Sequence, residues 1–305
     1  MTDGDTAQPR ILILGARGQV GVELQRSFAG YGSITAADID TVDLTDPEQT
    51  RALVRRVRPD VILNTAAYTA VDRAEAEPAL AMAVNADAPR VLAEEALRLN
   101  ALFVHYSTDY VFDGSKTEPW VESDEPNPLS VYGVTKLAGE KAVAEIGGRY
   151  LIFRTSWVYG PHGKNYLLTM LRLGGERDQL SIVNDQFGAP TTSIELADAT
   201  RAVTEGVLAG KYGAAEKWAG LYHMTCAGST TWFVFSQSIF ARAAEQLGAK
   251  TPELGAIETK DYPTPAKRPR NSVLSNEKLN KRLGVRLADW QRALDAVMAK
   301  LKTAS

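Results

Sequence analysis

The chain has 305 residues, 45% of them hydrophobic and 23% charged, with a formal net charge of −3. This is enough apolar material for one large α/β unit or two lobes, and the charge balance gives no reason to expect nucleic acid or an anionic membrane as partner. The single cysteine, Cys226, excludes an intrachain disulfide, no apolar run approaches bilayer length, and the short polar stretch from Met1 to Pro9 lacks a signal-peptide character, so a cytoplasmic soluble protein is expected.

Taken in chain order, short apolar runs alternate with amphipathic helical patterns. Arg10 to Leu14 reads as a buried strand ended by Gly15, and Gln19 to Ala29 as a helix carrying Val20, Leu24 and Phe28 at helical spacing. Ser33 to Ala37 is a second strand that stops at Asp38. Pro47 to Val57 opens with proline at a first helical position. Asp60 to Asn64 is a third strand, Ala70 through Leu99 one or two helices, Leu102 to Ser107 a fourth strand and Tyr150 to Thr155 a fifth. Strands separated by helices predict an α/β fold: a doubly wound, Rossmann-type parallel sheet covered on both faces.

Beyond Trp157 the rhythm changes. Gly- and Pro-rich loops appear, helices are predicted at Tyr166 to Leu173, Glu195 to Leu208, Trp232 to Leu247 and Leu287 to Leu301, and Pro263, Pro265 and Pro269 mark an extended stretch. Residues 1–156 are thus expected to form a dinucleotide-binding domain and residues 157–305 mainly a smaller substrate lobe, with late strands returning to the main sheet.

Three features carry chemistry. In the turn Gly15-Ala16-Arg17-Gly18-Gln19-Val20-Gly21, glycines spaced three apart let backbone approach a pyrophosphate at a helix N-terminus. Asp38 suits a ribose hydroxyl and repels a 2′-phosphate, while Arg17 offers a phosphate partner, so NADH and NADPH both remain open. Thr108 and Asp109 end the fourth strand, where ligands of open α/β sheets sit. Tyr132 and Lys136, four residues apart on one helix, point to one pocket, where the ammonium is expected to lower the phenol's pKa. Together they predict carbonyl reduction by a nicotinamide cofactor.

These segments resemble the short-chain dehydrogenase/reductase superfamily in its extended form, which carries a sugar-nucleotide lobe. Ser107 to Gly114, Tyr132 to Glu140, Arg154 to Tyr159, Asn184 to Thr191 and Tyr262 to Pro269 narrow the resemblance to the dTDP-4-dehydrorhamnose reductase family, over nearly the whole chain from the glycine turn to Trp290. The resemblance implies reduction of C4 of dTDP-4-dehydro-6-deoxy-L-mannose to dTDP-L-rhamnose by NADPH or NADH, with Tyr132 as proton donor, Lys136 on the cofactor ribose and Thr108 on the carbonyl oxygen. It places substrate contacts at Thr108, Asp109 and Trp157, and adds cofactor contacts at Gly18, Gln19, Val20, Asp38, Asp43, Leu44, Ala67, Tyr68 and Thr69. Some members of that family dimerise around a divalent metal held by glutamates. Glu23 and Glu195 match two of those positions, but Lys300 stands at the third, so no metal is expected, and a monomer or weak homodimer is.

The regulatory subunit of methionine adenosyltransferase resembles the same family without being a catalyst, and reductases or epimerases of other nucleotide sugars form a second alternative. Intact Thr108, Tyr132 and Lys136 favour an enzyme. His105 reads as a core residue, Cys226 as a small apolar group, and Lys267 to Ser272 as either a diphosphate contact or a solvated basic loop.

Overall fold

Strand β1 (Arg10–Leu14) sends Ile11 and Ile13 to one face of a sheet and Leu12 and Leu14 to the other, as a pleated strand must. Both faces therefore need cover. Against the first lie Leu24 of the helix Gln19–Ser27, Phe28 just beyond it, and Leu196 and Val203 of the helix Ser193–Leu208. Against the second lie Leu53 and Val54 of the helix Pro47–Val57 and Leu92 and Ala96 of the helix Ala88–Leu99. The protein is described here by a computed structural model covering residues 8–304; most of the polar N-terminal stretch lies outside the described residues.

β2 (Ser33–Ala37), β3 (Val61–Asn64), β4 (Leu102–Thr108) and β5 (Tyr150–Thr155) join β1 and the strand Gly220–His223 in a six-stranded sheet. The order is Gly220–His223, β5, β4, β3, β1, β2, and every pairing is parallel. This is the doubly wound sheet expected from the sequence. Leu14 is level with both Ala37 and Asn64, Asn64 with His105, and Thr108 with Thr155, so the strands deliver their carboxyl ends to one rim. Strand order reverses at β1, and the rim beside it is where open parallel sheets bind ligands.

Local signals set most helix boundaries. Asp46 accepts from the N–H groups of Glu48 and Gln49 ahead of Pro47–Val57, Ser130 caps Val131–Ile146 through Gly133 N, and Thr192 caps Ser193–Leu208 through Glu195 N. The stretch between β3 and β4 is more broken than its sequence suggests. A turn of helix, Val71–Ala74, precedes Pro78–Met82, a π-helical turn at Ala83–Asp87, and then Ala88–Leu99. Pro89 has no N–H for the Asn85 carbonyl four residues back, so the helical ladder widens there.

After β5 the chain builds a third apolar cluster from Leu167 and Met170, Phe235, Ile239 and Phe240, and Leu294 and Val297. It belongs to the helices Tyr166–Glu176, Trp232–Leu247 and Trp290–Ala304.

The helix Val131–Ile146 is pinned to the sheet by a buried ion pair. Arg154 of β5 gives Nε to Glu140 Oε1 at 2.8 Å and Nη2 to Oε2 at 2.6 Å, and its guanidinium lies 4.9 Å from the Phe112 ring centre. Removing one partner strands the other charge in the interior. Arg154→Met should therefore cost about 3–5 kcal/mol, read as a lowered urea midpoint, and Arg154→Met combined with Glu140→Leu should recover most of it. An unchanged midpoint in the single variant would show that the pair is not buried in solution.

Candidate active site

The turn after β1 is built so that only glycine fits it. Gly15 has φ +74°, and a Cβ there would lie 2.7 Å from the Ala66 N of the neighbouring strand end. At Gly21 a Cβ would stand 2.1 Å from the Gly15 carbonyl oxygen, so the helix Gln19–Ser27 packs tightly onto the turn. Gly18 precedes that helix with no side chain to cap it, and Gln19 Oε1 is buried without a partner. A helix N-terminus left uncapped beside a backbone cradle suits the diphosphate of a dinucleotide. Val20 packs on the first-face core and Leu44 on the second, while Asp43 accepts from Thr45 N and Oγ1 at 2.9 and 2.7 Å.

Asp38, at the end of β2, accepts from Arg17 N at 2.7 Å and from Ile39 N at 2.9 Å. The Arg17 guanidinium lies 4.0 Å from Asp38 and pairs with Asp40, so the carboxylate suited to a ribose and the cation suited to a phosphate stand side by side. On the far side of the crevice, Ala67 and Tyr68 are half-buried and Thr69 is exposed. Tyr68 N donates to Asn85 Oδ1 at 2.8 Å. The residues present fit a dinucleotide.

Next along the rim come Thr108, Tyr132 and Lys136. Thr108 ends β4 and gives its hydroxyl to Asp109 Oδ1 at 2.9 Å. Tyr132 is half-buried in the first turn of its helix, meets the Tyr110 ring edge-on at 5.6 Å, and has the Thr108 hydroxyl beside its own. Lys136 is only 2% exposed; its ammonium donates to the Tyr106 carbonyl at 2.6 Å and lies 3.4 Å from His105 Nε2.

The expected lowering of the Tyr132 pKa is reversed. Burial pushes it up to about 12, against a smaller downward effect of the Thr108 hydroxyl, and the Asp109 charge adds to the rise. The reason is geometric: the ammonium is turned inward to the β4 backbone, and burial lowers its own pKa to about 8.

Asp109 is buried, with Oδ2 unpartnered, and burial raises its pKa to about 6 despite the Ser272 and Thr108 hydroxyls. Trp157 follows β5 in a left-handed conformation, φ +47°, that a bulky residue adopts only when its surroundings enforce it. Its indole stacks on Trp232 at 3.6 Å and 8°, and a Cβ on Gly188 would reach 2.3 Å from it.

Away from this rim, the Glu23 carboxylate is bound by Arg26 at 2.5 Å, His162 at 3.4 Å and Lys300 at 3.9 Å, and Glu195 accepts from Ala288 N. These residues do not fit a metal site. Among the described residues no group of three or more His, Cys, Asp or Glu side chains is placed to hold an ion.

Sequence reasoning missed several residues that shape the site. Asn85, in the π-helical turn, binds Tyr68 N and O and gives Nδ2 to Thr135 Oγ1 at 3.1 Å, tying the crevice wall to the Tyr132 helix. Pro89 is the only local hint of that turn. Gly188 and Trp232 act on Trp157 from distant segments, and no spacing rule connects them. The Lys267 to Ser272 stretch is not a free loop: Arg268 pairs with Asp72 at 2.9 Å, and Asn271 bonds the Lys116 and Glu118 carbonyls.

Known proteins match this arrangement over almost its full length. Residues 9–303 fit the family described as the RmlD substrate binding domain. The dTDP-4-dehydrorhamnose reductase of Burkholderia thailandensis is 48% identical over 288 residues, 93% of this chain and 96% of the relative. That of Escherichia coli K12 is 44% identical over 298 residues, 96% and 98%. The crystal structure of the Bacillus anthracis dTDP-4-dehydrorhamnose reductase in complex with NADP superposes with a TM-score of 0.87 at 34% identity, covering 96% of this chain and 99% of that one. Thermus thermophilus UDP-glucose 4-epimerase, solved with NAD, shares the fold at a TM-score of 0.72 and 21% identity, with 97% of this chain and 100% of that one covered. A glycine turn, a parallel-sheet rim and a tyrosine and lysine on one helix thus coincide with full-length similarity, and the chain belongs to the dTDP-4-dehydrorhamnose reductase family.

Proposed function

We propose that this protein reduces the C4 carbonyl of dTDP-4-dehydro-6-deoxy-L-mannose to give dTDP-L-rhamnose, the last step of dTDP-rhamnose formation. The observation that carries this is the convergence of Thr108, Tyr132 and Lys136 beside a glycine cradle fitted to a dinucleotide, in a chain whose full-length relatives are named for this reaction. NAD(P)H, when bound, supplies the hydride. Gly15, Gly18 and Gly21 with Gln19 and Val20 would hold its diphosphate, Asp38, Asp43 and Leu44 its adenosine end, and Ala67, Tyr68 and Thr69 its nicotinamide half. Residues 1–156 supply this cofactor half and residues 157–305 most of the sugar-nucleotide lobe.

Tyr132 gives its proton to the carbonyl oxygen as charge grows there. Its raised pKa keeps that proton in place at neutral pH, and an alkoxide is basic enough to take it. Lys136 holds the ribose and steadies the phenolate left behind. Thr108 must turn its hydroxyl from Asp109 to donate to the substrate oxygen, which leaves the Asp109 carboxylate free to meet the sugar. Trp157 covers the sugar face. The cations around Glu23 argue for assembly without a metal bridge, and magnesium-dependent dimerisation would overturn that reading.

The direct test is oxidation of NADPH and NADH, followed at about 340 nm, with dTDP-4-dehydro-6-deoxy-L-mannose. Stoichiometric oxidation yielding dTDP-rhamnose is expected; binding without oxidation would point to another nucleotide sugar or to a non-catalytic subunit.

Tyr132→Phe should keep cofactor affinity and lose about 10²–10⁴ in kcat. Full turnover in that variant would remove Tyr132 from the mechanism. Because the ammonium form of Lys136 is the one that binds, cofactor affinity should weaken as pH rises through about 8, and Lys136→Ala should be weak at every pH. Fluorescence titration of NADPH between acid and alkaline buffers reads this directly.

Asp109 has a folded pKa of about 6 against an ordinary 3.8, so its ionisation opposes folding fully above pH 6, less between 6 and 3.8, and not below. Asp109→Asn should accordingly gain about 1–3 kcal/mol of stability at pH 8 and nothing at acid pH, while losing substrate affinity. Equal melting temperatures at pH 8 would contradict the burial of a charged carboxylate.

A further inference from the structure

We propose that His105 is a positioning residue for Lys136: protonated on Nδ1 and held there by Asn64, it accepts a hydrogen bond from the lysine ammonium through Nε2. The proposal extends the cofactor-binding role given to Lys136 above and rests on that reading.

The geometry leaves little choice of protonation. His105 is wholly buried in β4 and stacks against Phe103 at 6.1 Å and 21°. Its Nε2 lies 3.4 Å from Lys136 Nζ, and an ammonium has donors but no lone pair. Nε2 must therefore be the acceptor, which puts the imidazole proton on Nδ1. That nitrogen faces the Asn64 side chain, whose Nδ2 lies 3.1 Å away while its Oδ1 is buried without a partner. A half-turn of the Asn64 amide about Cβ–Cγ exchanges the two atoms. Oδ1 then accepts from Nδ1–H and is no longer orphaned, and the opposed donors disappear as Nδ2 takes its former place. Any other assignment leaves donor facing donor at one end of the chain Asn64–His105–Lys136.

The surroundings agree with a neutral ring. Burial, reinforced by the Lys136 charge, holds the His105 pKa well below its ordinary value. Lys136 faces the Tyr106 carbonyl and His105 from β4, and Glu140 from its own helix, with Glu140 itself paired to Arg154 of β5. Two of the three ammonium N–H bonds are thus committed to β4, and one remains for the ribose or the phenolate. Asn64 is the last residue of β3, level with Leu14 immediately before the glycine turn, so the relay joins the cofactor crevice to the lysine.

The chain contains only three histidines, so the tautomer can be read in the wild-type protein by long-range ¹H–¹⁵N correlation after ¹⁵N-histidine labelling. The His105 signal is identified by its absence from His105→Gln. An Nδ1–H tautomer is expected; Nε2–H or a charged ring overturns the proposal. In function, His105→Phe keeps a ring but offers no acceptor, and NADPH should bind about 10- to 100-fold more weakly. His105→Gln, whose amide oxygen can accept, should restore most of that loss. Wild-type NADPH affinity in folded His105→Phe, or Gln no better than Phe in two folded variants, would sink the idea. None of these readouts uses the sugar nucleotide, so failure of the substrate assignment leaves them intact.

Discussion

An ammonium group almost sealed from water lies at the centre of this protein. A buried cation is tolerated only where acceptors replace its hydration, and Lys136 finds them in the Tyr106 carbonyl and the His105 ring. Those acceptors exist because β4 runs parallel between β3 and β5 and brings its carboxyl end to the same rim as theirs. The Glu140–Arg154 pair, one helical turn beyond Lys136 on the same face, fixes the helix to β5 as well. The position of one charge therefore depends on three strands and one helix at once. The same burial that lowers the lysine's pKa raises that of Tyr132, so the phenol keeps its proton and the lysine is poised near neutrality.

The rim also concentrates polar groups and backbone conformations that the folded chain alone does not reward. Asp109 is buried with a free oxygen, Gln19 Oε1 has no partner, and Trp157 is held in a left-handed conformation. Such features cost stability and persist where a ligand uses them. Trp157 illustrates how the strain is enforced. Its indole is clamped between Trp232 and the bare backbone of Gly188, while its carbonyl accepts from Thr191 N. Two segments distant in sequence fix this residue, so its orientation belongs to the packing of the second half and not to its own neighbours.

Much of the fold was legible because local chemistry and global packing agree. The uninterrupted apolar run of β1, the helix start at Pro47 and the glycine turn each have one structural solution, and the Pro47–Val57 and Trp232–Leu247 helices fall where their periodicity puts them. The helix carrying Tyr132 and Lys136 was legible for the same reason. Less legible was the segment from Val71 to Leu99, where a proline and tertiary contacts to Tyr68 and Thr135 override a helical pattern that otherwise looks continuous. His105 read as an ordinary core residue because burial was visible in its strand and its partner, 31 positions away, was not.

By itself, then, the sequence determined which residue types were available and how each short segment would turn: a parallel strand-and-helix alternation, a cradle only glycine can form, and a phenol and an amine on one helical face. Periodicity and turn chemistry are local, and they act before any long-range contact exists. What only the tertiary structure decided was the electrostatic state of those groups. Whether the lysine faces the phenol or the β4 backbone, whether the phenol's pKa falls or rises, and which atom of His105 carries the proton all depend on solvent exclusion and on acceptors supplied by other strands. Those quantities are set by distance and dielectric, which a chain acquires only when it packs.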